Sequence, residues 1–208
     1  MVDFSDIKIY LPYYLTDESL QKMFEDIDKM VQTGYNNRIY TSALENEKMI
    51  FQGDGLKKMK TVFLPDEEVC ESKAIVFSNS CDLNQENIRP FPSKITYSPI
   101  TRLSSYIEVL KEKKIKEKQI AEHIENIKKQ RYTQILFLPQ HPNGPEEDCM
   151  VFLDRINHCD NESIDRESLA KNKVFTLNNF GLYLFLLKLS IHFTRIREKI
   201  DRDNGKIM

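Results

Sequence analysis

The sequence predicts an α+β, β-rich fold: a small barrel or two packed sheets, with a helix near each end and a long helical insertion. Three observations carry this. Short runs rich in Val, Ile, Phe, Tyr and Thr recur between Gly- and Pro-bearing turns, which is how short strands read. Residues 101–130 hold no Gly or Pro and set apolar residues at helical intervals. Residues 16–34 and 178–200 each begin with a helix-start signal and continue with apolar side chains.

At 208 residues, 40% hydrophobic and 30% charged, the chain suits one embellished globular domain. Its expected organisation is an arm and helix over 1–45, then a barrel over 46–208 with a helical insertion at 101–130 and a C-terminal helix at 178–200. The formal net charge of -2 exerts no global pull on nucleic acid or anionic lipid, so such binding needs a local patch. Cys70, Cys81, Cys149 and Cys159 form no C-x-x-C pair, and the first residues are acidic rather than Lys/Arg-led. Reduced thiols and a cytoplasmic protein without a signal peptide are the expectation. The most apolar run, 180–193, carries Lys188 and His192. It is too short and too polar to span a bilayer, so no membrane association is expected.

In chain order, residues 1–15 are aromatic and apolar around Pro12 and read as an extended arm. Thr16-Asp17-Glu18-Ser19 starts a helix over 17–33, with Leu20, Met23, Phe24, Ile27, Met30 and Val31 on one face and Gly34 beyond it. Strands are expected at 38–42, 49–52 and 59–64, with Gly53-Asp54-Gly55 as a turn and 66–72 as an acidic loop. A central strand at 73–78 and another at 94–98, stopped by Pro99, follow. Residues 101–130 read as one long helix or two in series around Lys111–Lys118, which carries five Lys against two Glu. Strands at 134–139 and 149–153, the latter continued past a bend at 155–158, lead through a polar loop to a last strand at 173–176. The final helix begins at Asn178 or Asn179. It is apolar nearly all round at first, which signals burial on most faces. Neither internal repeats nor low-complexity tracts occur.

The chemistry-bearing stretch is Ala74 to Arg89. An apolar run ends in Ser78-Asn79-Ser80-Cys81-Asp82, a strand breaking into a polar turn of the kind that displays functional groups. Cys81 is a candidate nucleophile, with His158 as distant partner and Asp82 or Asp160 to orient it. The bland alternative is a small packing residue at a strand end. Cys149, His158, Cys159 and His141 do not have a recognised zinc spacing, and no phosphate-binding glycine motif is present. No metal or cofactor is expected.

The order of motifs resembles the MazF/PemK toxin family, whose members are small SH3-like barrels with helices. Gln52-Gly53-Asp54-Gly55-Leu56 is similar to the family's opening G-D strand. Lys73-Ala74-Ile75-Val76-Phe77-Ser78-Asn79 is similar to its R-P-V-V-V-x-S/N strand, and Tyr97-Ser98-Pro99-Ile100-Thr101 to its next strand end. Residues 148–160 are similar to its later D-S-V-I-L-L-E-Q-I-R-T-I-D stretch. Lys73-Ala74 departs from the family's Arg-Pro, and S-x-x-C-D at 78–82 marks a divergent branch. Residues 1–45 and 101–130 have no counterpart in the short toxins.

If the toxin chemistry carried over, the resemblance implies a metal-independent endoribonuclease in which a 2′-OH attacks the adjacent phosphate. That needs a base and a cation near the phosphorane oxygens. Asp82 or His158 would be the base, Arg89, Lys73 or Arg102 the cation, and Thr101 the family's Thr. The other implied reading is a protein- or nucleic-acid-binding component of a toxin–antitoxin or phage-defence module, its active site altered. A protein partner would engage the added helices, or RNA would follow Lys73, Arg102, Lys111, Lys113 and Lys114. A homodimer is compatible with either.

Overall fold

The computed structural model describes residues 38–194 throughout, and residues 16, 18, 21, 22, 25, 29, 200, 201, 206 and 207 besides. The 1–15 arm lies outside these residues, as does most of the 17–33 helix. Glu18, Gln21, Lys22, Glu25 and Lys29 are helical and exposed.

The fold is a mixed α+β arrangement dominated by one antiparallel eight-stranded sheet. The strands are β1 (Tyr40–Thr41), β2 (Gly55–Phe63), β3 (Glu68–Val76), β4 (Lys94–Arg102), β5 (Ile135–Leu138), β6 (Cys149–Phe152), β7 (Asn157–Asp160) and β8 (Lys173–Leu177). The order is β1-β8-β2-β3-β4-β6-β5, with β7 also on β4. Five helices are described: α1 (Ser80–Leu83), α2 (Leu103–Glu112), α3 (Glu117–Lys128), α4 (Leu169–Asn172) and α5 (Asn179–Thr194).

Several expected boundaries move, each for a local reason. Residues 49–52 are not a strand; Ile50 is buried while Phe51 N donates to the Asp54 carboxylate at 2.9 Å, closing a turn. The acidic stretch 68–72 belongs to β3, paired with β2 out to Phe63↔Glu68. A register shift between Leu56 and Met59, with Lys58 at φ 59°, keeps both apolar residues on the buried face. Pro99 does not stop β4. On one edge β4 pairs with β7 up to Tyr97↔Asn157, then with β6 from Ile100↔Val151. The proline sits at the handover, where a missing N–H costs least. β6 and β7 thus run in succession along β4, with the turn at 153–156 between them. The insertion is two helices, and residues 101–102 still belong to β4. The last helix is described as far as Thr194, and Ile200–Asp201 pairs antiparallel with Lys206–Ile207, Ile200 opposite Ile207.

β3 separates two cores. Ile75 and Phe77 face one, with side chains from β1, β8, β5 and β6, under Phe180, Tyr183, Leu184 and Phe185 of α5. Ala74 and Val76 face the other, with Leu56, Met59, Leu83, Ile95, Tyr97 and Leu169. A third cluster joins α2 and α3 to β5 and β6 through Leu103, Ile127, Ile135, Phe137, Met150 and Phe152. The apolar stripes of the insertion are therefore spent largely on the sheet itself.

Among the described residues the sheet is open: β1 and β5 are its ends and do not pair. The gap is crossed by a side chain, Tyr40 Oη donating to Pro139 O at 3.0 Å. At the other face of β5 the Gln130 amide seals the edge, Nε2 donating to Phe137 O at 2.8 Å and Oε1 accepting from Phe137 N at 3.1 Å. The expected G-D turn is structural. Asp54, fully buried, meets Lys173 Nζ at 3.3 Å and accepts from Thr176 Oγ1 at 2.8 Å. Burial pushes its carboxyl upward against the opposing pull of Lys173.

Candidate functional site

The S-N-S-C-D turn is built by hydrogen bonds that its own residues make. Ser78 Oγ accepts from Thr96 N at 2.8 Å and donates to Lys94 O, tying the end of β3 to β4. The Asn79 side chain accepts from Cys81 N and caps α1. Ser80 Oγ accepts from Gln52 N at 2.9 Å. Below the turn, Asn161 Nδ2 donates to Leu83 O, and Ser93 Oγ donates to Asp82 O at 2.7 Å. All five of these side chains in and under the turn hold backbone, which explains them without chemistry.

Cys81 is exposed and Asp82 is half-exposed. Asp82 Oδ1 accepts from Arg89 Nη2 at 2.5 Å. Two of the candidate catalytic residues are therefore together, and each occupies the other. Thr101 is not with them. Asp82 is tied to Ser93 at the start of β4, and Thr101 lies near its end. Eight residues of strand separate them, roughly 26 Å along the chain. The expected grouping of Asp82, Arg89 and Thr101 in one groove is corrected: two ends of one strand hold them apart. His158 is exposed on β7, opposite Thr96, while Ser78 binds that strand from its other edge. Among the described residues no hydrogen bond joins His158 to Cys81 or Asp82, so that candidate dyad is also not assembled.

At the far end of β4 lies the position that the resemblance marks. The β3–β4 register sets Ala74 opposite Pro99, so Lys73 adjoins Ile100 and Thr101. Lys73 Nζ stands 3.9 Å from Glu146, and Arg102 Nη1 3.8 Å from Glu147, whose other oxygen accepts from Ser104 Oγ at 2.9 Å. Cys149 is buried beside them. Burial pushes its thiol up to about 11, Glu147 adds to that, and Lys73 and Arg102 pull the other way. Both cations thus face glutamates. Lys111, Lys113 and Lys114 are exposed at the far end of α2, about 14 Å beyond Arg102 along the helix axis. The five candidate nucleic-acid contacts make two separate patches.

One feature carried no strand, helix or motif signal in the sequence. The loop from Asn84 to Ser93 lifts Ile88 and Phe91 into solvent, 93% and 85% exposed, on either side of Arg89 and Pro90. Beside it is a cavity of about 340 Å³ whose walls include Asn84, Asn87, Arg89, Ser93 and Asn161. What the sequence did show was two prolines bracketing Phe91, with Ile88 just before them, in an otherwise polar loop. Among the described residues no group of three or more His, Cys, Asp or Glu could hold a metal ion, and no helix is long and apolar enough to cross a membrane. The chain matches no family model and no curated protein sequence.

Proposed function

We propose that this chain is a protein-binding component on a MazF/PemK-like, SH3-type barrel, in which the toxin-type ribonuclease site is silent. The setting the resemblance suggests is a toxin–antitoxin or phage-defence module. One observation carries the reading: the cations beside Thr101 face Glu146 and Glu147, while the Asp82–Arg89 pair closes on itself at the opposite end of β4. In-line attack by a 2′-OH needs a base and a free cation at one phosphate. Three ion pairs, two at one end of a strand and one about 26 Å away at the other, do not supply that.

The binding surface is the loop that carries Ile88 and Phe91. Solvent-facing large apolar side chains beside a cavity are what anchor protein interfaces. The charges around it disfavour a polyanion. Arg89 is paired with Asp82 and Lys94 with Asp160, while Glu86 and Glu162 are exposed and in no ion pair among the described residues.

The test is incubation of purified protein with mixed RNA, beside Asp82→Asn, Arg89→Ala and Lys73→Ala. No cleavage above a mock preparation is expected from any of them. Cleavage by the parent that is lost in Asp82→Asn and Arg89→Ala would overturn the reading in favour of an endoribonuclease. Fluorescence anisotropy with single-stranded RNA at low salt is the companion measurement, with no saturable binding expected.

A further inference from the structure

The outer half of β3 is an open strand edge. β2 and β3 pair from Met59↔Ser72 out to Phe63↔Glu68, whereas β4 takes the other side of β3 only over Ala74–Val76. Among the described residues no strand pairs with Glu68–Ser72 on that side. The alternation of an antiparallel ladder fixes which peptide groups face it. Lys60 O accepts from the Tyr97 hydroxyl, and Val62 N donates to Asn157 Oδ1 at 2.8 Å. Both residues therefore turn their peptide groups away from β3. Their ladder partners, Glu71 and Val69, turn theirs away from β2 and into the open edge. The two edges of the hairpin thus differ. Side chains from β4 and β7 close the one on β2, while the side-chain bonds of β3, Glu71 to Lys60 and Ser72 to Thr61, run back to β2.

Exposed edges are usually blunted by lysine, proline or a covering segment. This one carries charge of one sign. Asp66, Glu67 and Glu68 are exposed and in no ion pair among the described residues, and Glu71 is shared with Lys60 at 3.3 Å. Beside them Val69 and its cross-strand partner Val62 are 61% and 41% exposed, on one face of the hairpin. An added strand would meet unpaired peptide groups, an apolar pair and a cluster of carboxylates near the turn. A second copy of this chain would bring its own Glu68 and Glu71 to the same acidic edge, which like-charge repulsion disfavours.

We propose that the outer edge of β3 is a docking site for an extended basic peptide, which adds to the hairpin as a further strand. Its backbone pairs with Val69 and Glu71, its apolar side chains rest on Val62 and Val69, and its cations meet Asp66, Glu67 and Glu68. The surface lies at the opposite end of β3 from the loop that carries Ile88 and Phe91. It is a second contact and does not depend on the first.

The experiment is fluorescence anisotropy of a labelled seven-residue peptide alternating lysine and valine, titrated with the folded full chain at low salt. Saturable binding that weakens as salt is added is expected. The same sequence with every backbone amide N-methylated keeps the charge and loses the donors, and should bind at least about tenfold more weakly. A glutamate–valine peptide should be weaker by at least about as much. Val69→Pro removes an outward N–H and leaves the bonds to β2 in place, and should also weaken binding about tenfold or more. Should Val69→Pro fail to fold by circular dichroism, the comparison of methylated and unmodified peptide on the parent protein decides alone. Equal binding of those two peptides, or no saturable binding of the unmodified one, overturns the proposal. Self-association of the parent that Val69→Pro abolishes would give the edge to a second copy and overturn it as well.

Discussion

Lys188 sits on the apolar α5 yet is 5% exposed, with Nζ donating to Gln130 O and Tyr132 O at 2.9 Å each. Those carbonyls lie just past the C-terminus of α3, where a donor is favoured. Burial lowers the ammonium from its ordinary 10.5 to about 7. A neutral amine still has two N–H donors, enough for both carbonyls. Between those two values the unfolded chain holds a proton that the folded chain has given up. This residue's contribution therefore makes stability rise with pH across that window, by up to about 1.4 kcal/mol per pH unit, and level off at its lower value below it. Lys188→Met should remove that slope. Urea unfolding of both proteins at several pH values between 6 and 9 measures it, and an unchanged slope refutes it. From sequence, Lys188 registered only as a polar interruption in an apolar run. Its partners come from residues 56 and 58 positions away in the chain, and no local pattern encodes them.

At the scale of elements, composition was a good guide wherever a segment's own periodicity decides its fate. The two helices of the insertion, the apolar strands β5 and β6, and the start of α5 all follow the spacing of their apolar residues. β3 was cut short because Glu68 and Glu71 are charged, and charge reads as loop. In the structure that half of β3 is held by its hairpin with β2. Residues 49–52 failed in the opposite sense, apolar enough for a strand but bent by the Asp54 carboxylate. The packing of α5 offers a sharp test. Gly181 packs so closely on the residue before β1 that a Cβ there would sit 2.3 Å from Ile39 O, a backbone atom that cannot step aside. Gly181→Ala should cost about 1–3 kcal/mol despite the better helix propensity of Ala. A lower urea midpoint with an unchanged m-value is the expected result, and a gain in stability would show that α5 can move away from the sheet.

Across the whole molecule, the sequence held the ingredients of the candidate site but not their arrangement. Asp82, Arg89 and Thr101 lie within 20 positions of one another in the chain, which invites grouping them. What divides them is the nine-residue β4, and its length was hidden because Pro99 looked like a stop. Strand direction and the handover from β7 to β6 are long-range facts, fixed by pairing with residues 47 or more positions away. The same topology bears on how the chain folds. The hydroxyl of Tyr40 reaches Pro139 across 99 residues of sequence, and among the described residues β1 pairs only with β8. Contacts that close loops this long form late, because their entropy is recovered only once the rest is assembled. Tyr40→Phe should then quicken unfolding and leave the refolding rate within about twofold, as stopped-flow traces in urea would record. On this account the seam between the two sheet ends is a latch rather than a nucleus, and the phenol that crosses it bears on how long the folded state lasts more than on how fast it forms.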